Sequence, residues 1–217
     1  MKIIEPYYEI LTPISEGGIK ELQQIERAAR TCYKSEDKIT DDGSTAKKLV
    51  ANLIRSGHEA MLEHSQLSVR FTVDRGISHE LVRHRLFSFA QESTRYVNYS
   101  KDKFSHEITV IKPMFYGWKD DMTRGMTEEW ALACQTAEKA YFTMLEYGAS
   151  PQEARSVLPN STKTEIVVTG NYREWRNFFK LRVDKAAHPQ MRQITIPLLK
   201  ELQTKIPIVF GDIQCEG

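Results

Sequence analysis

Gln66 to Val73 alternates without a fault, with Leu67, Val69, Phe71 and Val73 on one side and Gln66, Ser68, Arg70 and Thr72 on the other. Side chains of a strand point alternately to its two faces, so this stretch is a half-buried strand and the chain must build a sheet with one face against a core. The other periodic stretches are mostly helical. Leu22, Ile25, Ala28 and Ala29 form the stripe of a helix expected from about Lys20 to Tyr33. Asp41-Asp42-Gly43-Ser44 introduces a second helix to about Ser56, with Leu49, Leu53 and Ile54 facing inward and Gly57 ending it. A long helix opens at Thr127 and stops at Gly148, its stripe being Trp130, Ala133, Cys134, Ala137, Tyr141, Met144 and Leu145. His188-Pro189 leads into a last helix to about Lys205 that buries Met191, Ile194, Leu198, Leu199 and Leu202. Further strands are expected at residues 2 to 10 and from Thr164 to Gly170.

No repeat, low-complexity tract or linker interrupts the 217 residues, and a hydrophobic share of 41% supports a substantial core, so residues 1–217 are expected to form a single domain. Thirty basic against twenty-nine acidic side chains leave a formal charge of +1. Such a balance supplies no general field for a nucleic-acid backbone, and any anion must be gripped locally. Met1-Lys2-Ile3-Ile4-Glu5-Pro6 lacks the pattern of a signal peptide and no apolar run approaches membrane-spanning length, so a cytoplasmic protein without a membrane partner is expected. Cys32, Cys134 and Cys215 are widely separated and odd in number, which predicts free thiols.

The densest chemistry lies in Arg83-His84-Arg85-Leu86-Phe87-Ser88-Phe89-Ala90-Gln91-Glu92-Ser93-Thr94-Arg95-Tyr96. Guanidinium forks and hydroxyls match phosphate oxygens, so a phosphate is the natural ligand. Asp74-Arg75-Gly76 turns the preceding strand into a helix whose Ile77, Leu81 and Val82 pack inward, delivering Arg83, His84 and Arg85 at its C-terminal end. Cations there also complement the helix dipole, which is the purely structural account of them. The polar segment that follows, to Arg95, is expected to be a loop or an edge strand.

Gly57-His58-Glu59-Ala60-Met61-Leu62-Glu63-His64 raises a metal site, but His58 and His64 are six apart, about 240° around a helix, so no metal is expected. For His64 the reading is a satisfied histidine where a loop meets a strand. Residues 97 to 125 are irregular, with Pro113 and Gly117 as breakers. Ser150-Pro151-Gln152-Glu153 is a capping box with proline at the first helical position, opening a short helix that carries Arg155. In the helix from Asn171 to Arg182, Arg173 and Asn177 share one face while Trp175, Phe178, Phe179 and Arg182 share another. An arginine continuing an aromatic stripe either snorkels to solvent or has an acceptor waiting.

Arg-His-Arg, seven residues, then Ser93 and Arg95 closely resembles the signature of the flavin-dependent thymidylate synthases. Gly57-His58 with Glu63-His64, the run Ala154-Arg155-Ser156-Val157-Leu158-Pro159, and the Asn171, Arg173, Asn177, Leu181, Arg182 pattern are similar to further blocks of that family. The likeness runs from about residue 22 to residue 192 in four blocks. It implies a fold of class α/β (α+β type), with long helices packed beside a mixed or antiparallel sheet, and methylation of dUMP at C5 with methylenetetrahydrofolate, FAD supplying the hydride after reduction by NADPH, in a homotetramer whose active sites draw on several subunits. On the same footing it implies FAD contacts from His58, Ala60, Arg83, His84, Arg85, Gln91, Asn171, Tyr172, Arg173 and Asn177, that of Ala60 through backbone or van der Waals contact. It implies dUMP contacts from Glu80, Arg83, Gln91, Glu92, Ser93, Thr94, Arg95, Arg155 and Arg182, with Arg182 at the uracil ring as the catalytic residue. Another flavin-dependent nucleotide-modifying enzyme, or a non-enzymatic nucleotide- or RNA-binding protein, are the competing classes; the balanced charge counts against the last.

Overall fold

The computed structural model describes residues 1–101, 105–116 and 121–215. Among them the strands are β1 (Lys2–Ile4), β2 (Tyr7–Ile10), β3 (Gln66–Asp74), β4 (Ser88–Gln91), β5 (Thr109–Ile111) and β6 (Lys163–Asn171). The α-helices are α1 (Ile19–Thr31), α2 (Ser44–Arg55), α3 (Arg75–Leu81), α4 (Asp121–Glu146), α5 (Pro151–Ala154), α6 (Tyr172–Arg182), α7 (Pro189–Lys205) and α8 (Pro207–Phe210). One sheet has the order β2-β3-β6-β4 and is antiparallel; a smaller one pairs β1 with β5 in parallel. The mixed α/β class read from the sequence is therefore the observed one. β4 lies at an edge, as the polar segment after Arg85 suggested. The chain's contacts group into two compact units built from interleaved segments, so no linker separates them in the sequence.

The first unit comprises Met1–Tyr7, Phe71–Arg83 and Ala90–Val167. Its core gathers Cys134 and Tyr141 of α4 with Tyr99, Ile108, Val110 and Ala154. α4 begins at Asp121 rather than Thr127 and keeps Gly125 inside it, a local cost of about 1 kcal/mol relative to alanine. Of its expected stripe, Ala133 is exposed. Residues 97 to 125 contain a strand, β5, that periodicity could not show in three residues; Gly117 lies outside the described residues. Asp74 caps α3 by accepting from the Ile77 N–H at 2.7 Å. Ile77 and Leu81 are buried as expected, but Val82 just past the helix end is exposed. The Ser150 capping box and Pro151 at the start of α5 are both in place.

The second unit comprises Tyr8–Arg70, His84–Phe89 and Val168–Gly217. Trp175, Phe178 and Phe179 of α6 are fully buried and pack with Phe87 and Phe210 in a web of tilted and edge-on rings. Phe87 lies so close to Gly170 that a Cβ there would stand 2.1 Å from its ring. α7 buries Met191, Ile194, Leu198, Leu199 and Leu202, the stripe read from its period. Two expectations are corrected here. The single strand over residues 2 to 10 is broken into β1 and β2 at Glu5-Pro6, because proline has no N–H for a ladder. In α2 the fully buried residues are Ala46 and Val50, with Leu49, Leu53 and Ile54 half-buried. Gly57 closes that helix at φ +70°.

Candidate active site

The face of α6 that carries Arg173 and Asn177 lines a cavity of about 540 Å3 in the second unit. Asn171, Leu86, Glu59, Glu63, Glu174 and Lys180 complete its wall. Thus three residues that the family resemblance named, Asn171, Arg173 and Asn177, meet on one concave surface of the size small-molecule sites occupy. Asn171 Oδ1 accepts from the Glu174 N–H at 2.9 Å and caps α6. Arg173 donates to Glu63 at 2.6 Å, both side chains being about half exposed. An exposed pair of this kind is worth roughly 0–1 kcal/mol, so Arg173 can exchange Glu63 for a phosphate at little cost. Tyr172 does not join that wall: it is fully buried against Phe210, its hydroxyl without a hydrogen-bond partner among the described residues. His58, Ala60 and Arg85 are exposed, as is His64, which ends the 3-10 turn Glu59–His64 immediately before β3.

The acceptor that the aromatic stripe required for Arg182 is His84. Arg182 Nε donates to His84 Nε2 at 2.9 Å. The imidazole is buried, edge-on to Phe178 at 5.0 Å, and its Nδ1 lies 3.5 Å from Glu174 Oε1. Burial first, and then the charge on Arg182, lower its pKa from 6.5 to about 4. His84 is therefore neutral at physiological pH. Glu174 is itself buried, which raises its pKa against the opposing hydrogen bond from Asn177.

The remaining expected substrate contacts belong to the first unit. Gln91 Nε2 donates to Ser78 Oγ at 3.0 Å and Thr164 Oγ1 at 3.2 Å. Glu92 accepts from Lys163 Nζ at 3.0 Å and the Glu165 N–H at 3.2 Å. Burial opposes the charge of Lys163, but Glu165 and Glu92 hold its pKa above the ordinary value. The Ser93 hydroxyl accepts from the Arg95 N–H at 3.3 Å, and the Arg95 guanidinium stands 5.5 Å from the Tyr96 ring centre on the surface. Arg83 is exposed just beyond α3, its N–H donating to the Glu80 carbonyl at 3.2 Å. Arg155 reaches buried Thr94 at 3.4 Å. Both line a second cavity, of about 390 Å3, with Arg75, Gln152, Ser156, Leu158 and Asn160.

A family model described as thymidylate synthase complementing protein matches residues 19–208. This chain belongs to that family. A flavin-dependent thymidylate synthase of Corynebacterium aurimucosum is 34% identical over 218 residues, covering 92% of this chain and 82% of the relative. Flavin-dependent thymidylate synthases of Mycobacterium bovis and Mycobacterium tuberculosis are each 36% identical over 204 residues, covering 88% of this chain and 78% of theirs.

Membership in the family does not make every residue of these cavities legible, and three were missed. Arg75 lines the cavity with Arg155, and its Nη1 is buried with no hydrogen-bond partner among the described residues. A turn sequence such as Asp-Arg-Gly gives no hint of that. Arg176 is 1% exposed, between the wall of the first-described cavity and the chain's last segment. It donates to Glu59 at 3.1 and 3.2 Å, to Asp212 at 2.6 and 2.8 Å and to the Val209 carbonyl. Burial opposes its charge, but Asp212 and Glu59 hold its pKa above the ordinary value. Glu174, third on the cavity and beside His84, was hidden by its position among aromatics; only an acid interrupting the motif Asn-x-Arg-x-Trp signalled it.

Proposed function

We propose that the whole chain, residues 1–217, acts as one flavin-dependent thymidylate synthase domain converting dUMP to dTMP. The observation that carries this reading is that the family match over residues 19–208 contains every side chain named for either ligand. The FAD set of the second unit, Asn171, Arg173 and Asn177 with His58, Ala60, His84 and Arg85, suits an anionic dinucleotide: amides for hydrogen bonding, one exchangeable arginine, and Lys180 on the same wall. Glu80, Arg83, Gln91, Glu92, Ser93, Thr94, Arg95 and Arg155 form the dUMP set, joined by Arg75, whose orphaned Nη1 faces the same chemistry as Arg155.

When bound, FAD reduced by NADPH supplies the hydride that turns the methylene carbon from methylenetetrahydrofolate into the methyl group of dTMP. Arg182 carries a guanidinium, a group that only donates hydrogen bonds and gives up no proton in the reaction, so it cannot shuttle protons. Its contribution is electrostatic: a planar guanidinium at the uracil N3 and O2 side stabilises negative charge there and makes C5 a better nucleophile. His84 fixes the guanidinium plane by accepting from Nε. The three cysteines are free; burial of Cys134 raises its pKa and disfavours the thiolate, and the proposal gives no thiol a part in the reaction.

Among the described residues no helix is long and apolar enough to cross a membrane. A cytoplasmic homotetramer with sites shared between subunits completes the proposal. Titration of the apoprotein with FAD, followed by fluorescence quenching, is expected to saturate in the micromolar range or below. Absence of saturable binding by folded protein would remove the flavin from this account.

A further inference from the structure

Glu174 is an acid with no evident reason to be buried. It is 5% exposed on α6, its own N–H satisfied by Asn171, and its carboxylate receives Asn177 Nδ2 at 3.3 Å. One amide is thin compensation for a carboxylate removed from water. The second group aimed at it is the ring of His84, whose Nδ1 stands 3.5 Å from Oε1. On the other side of that ring, Nε2 takes the Nε–H of Arg182 at 2.9 Å. An arginine Nε–H only donates, so Nε2 carries a lone pair, and the proton of the neutral imidazole sits on Nδ1, facing Glu174.

We propose that Glu174 is a positioning residue: it holds His84 in the Nδ1–H tautomer so that Nε2 grips Arg182 and fixes the plane of its guanidinium. The inference rests on the reading of Arg182 as the group that stabilises charge on the pyrimidine. Without Glu174, only the Arg182 contact favours Nδ1–H, and a shift to the Nε2–H tautomer would set two donors against each other across the 2.9 Å contact. Arg182 would then lose its orientation, and Asn177 would lose the carboxylate that it donates to at 3.3 Å. A carboxylate is not needed for this; any acceptor at the same reach serves.

The test combines a spectrum with kinetics. In protein labelled with 15N-histidine, the His84 signals, assigned by their loss in His84→Gln, should show Nδ1 protonated and Nε2 unprotonated. In Glu174→Ala the Nε2–H form should rise, and kcat measured with both dUMP and FAD saturating should fall about tenfold or more. Glu174→Gln, whose amide oxygen accepts from Nδ1–H, should keep the tautomer and at least about a third of kcat. A parent protein with His84 in the Nε2–H form overturns the proposal, as does Glu174→Ala with parental tautomer and kcat. A parent with the expected tautomer that makes no dTMP would instead count against the synthase reading, leaving the tautomer assignment standing.

Discussion

A histidine that accepts from an arginine cannot take up a proton without giving up that bond. In the unfolded chain His84 titrates near its ordinary 6.5, whereas burial and the charge on Arg182 hold it at about 4 in the fold. The unfolded state therefore binds the proton first as pH falls. Stability from this group is complete above about pH 6.5, declines between there and about 4, and levels off below, a loss of at most about 3 kcal/mol. The other five histidines are exposed, so thermal unfolding followed from pH 7 to pH 4 is expected to decline with a slope that His84→Gln flattens. A slope unchanged by that substitution would contradict the buried neutral assignment. At this scale the sequence was readable where spacing alone decides, as for Arg173 and Asn177 on one helix face. It was silent on Glu174, Arg176 and Arg75, because a buried charge is identified by partners distant in the chain: Arg176 and Asp212 are 36 residues apart, Arg176 and Glu59 117.

At the scale of elements, strands and helices with a sustained period were legible to within a few residues. α6 and α7 keep the faces that their aromatic and leucine stripes demand, and β3 keeps its alternation through Phe71, whereas Thr72 on its polar side is buried. Short elements were not: β1 with β5 is three residues a side, too few for a period, and its pairing joins positions more than a hundred residues apart. The closest fit between elements is that of Phe87, in the segment after Arg85, over Gly170 of β6. Phe87 in turn lies 6.0 Å from His84, ring centre to ring centre. Gly170→Ala puts a methyl group into that ring, and overpacking of this kind costs about 1–3 kcal/mol. The expected outcome is a lower melting temperature together with weakened activity, as Phe87 shifts and carries His84 with it. A variant as stable and active as the parent would show that the segment has slack the packing does not suggest.

At the scale of the whole molecule, FAD residues such as Asn171, Arg173 and Asn177 fall in the second compact unit and dUMP residues such as Arg95 and Arg155 in the first, while Arg182 of the dUMP set lies in the second and Arg83 and Gln91 of the FAD set in the first. Arg95 is exposed on a surface segment, suited to serving a neighbouring subunit's substrate. Mixing inactive Arg95→Ala with inactive Arg182→Ala under conditions of subunit exchange is expected to restore part of the activity, since some hybrid sites receive both intact residues. No recovery despite verified exchange would place each site within a single chain. The central claim is that dUMP is activated by Arg182 in a flavin-dependent reaction and not by a thiol. It is tested most directly by dTMP formation in protein with Cys32, Cys134 and Cys215 all replaced by serine or alanine, supplied with methylenetetrahydrofolate and NADPH, with and without FAD. The account predicts dTMP only with FAD present, at a rate within about tenfold of the parent, a barrier change of no more than ~1.4 kcal/mol. Loss of dTMP formation with fold and FAD binding intact, or dTMP formation without any flavin, would contradict it.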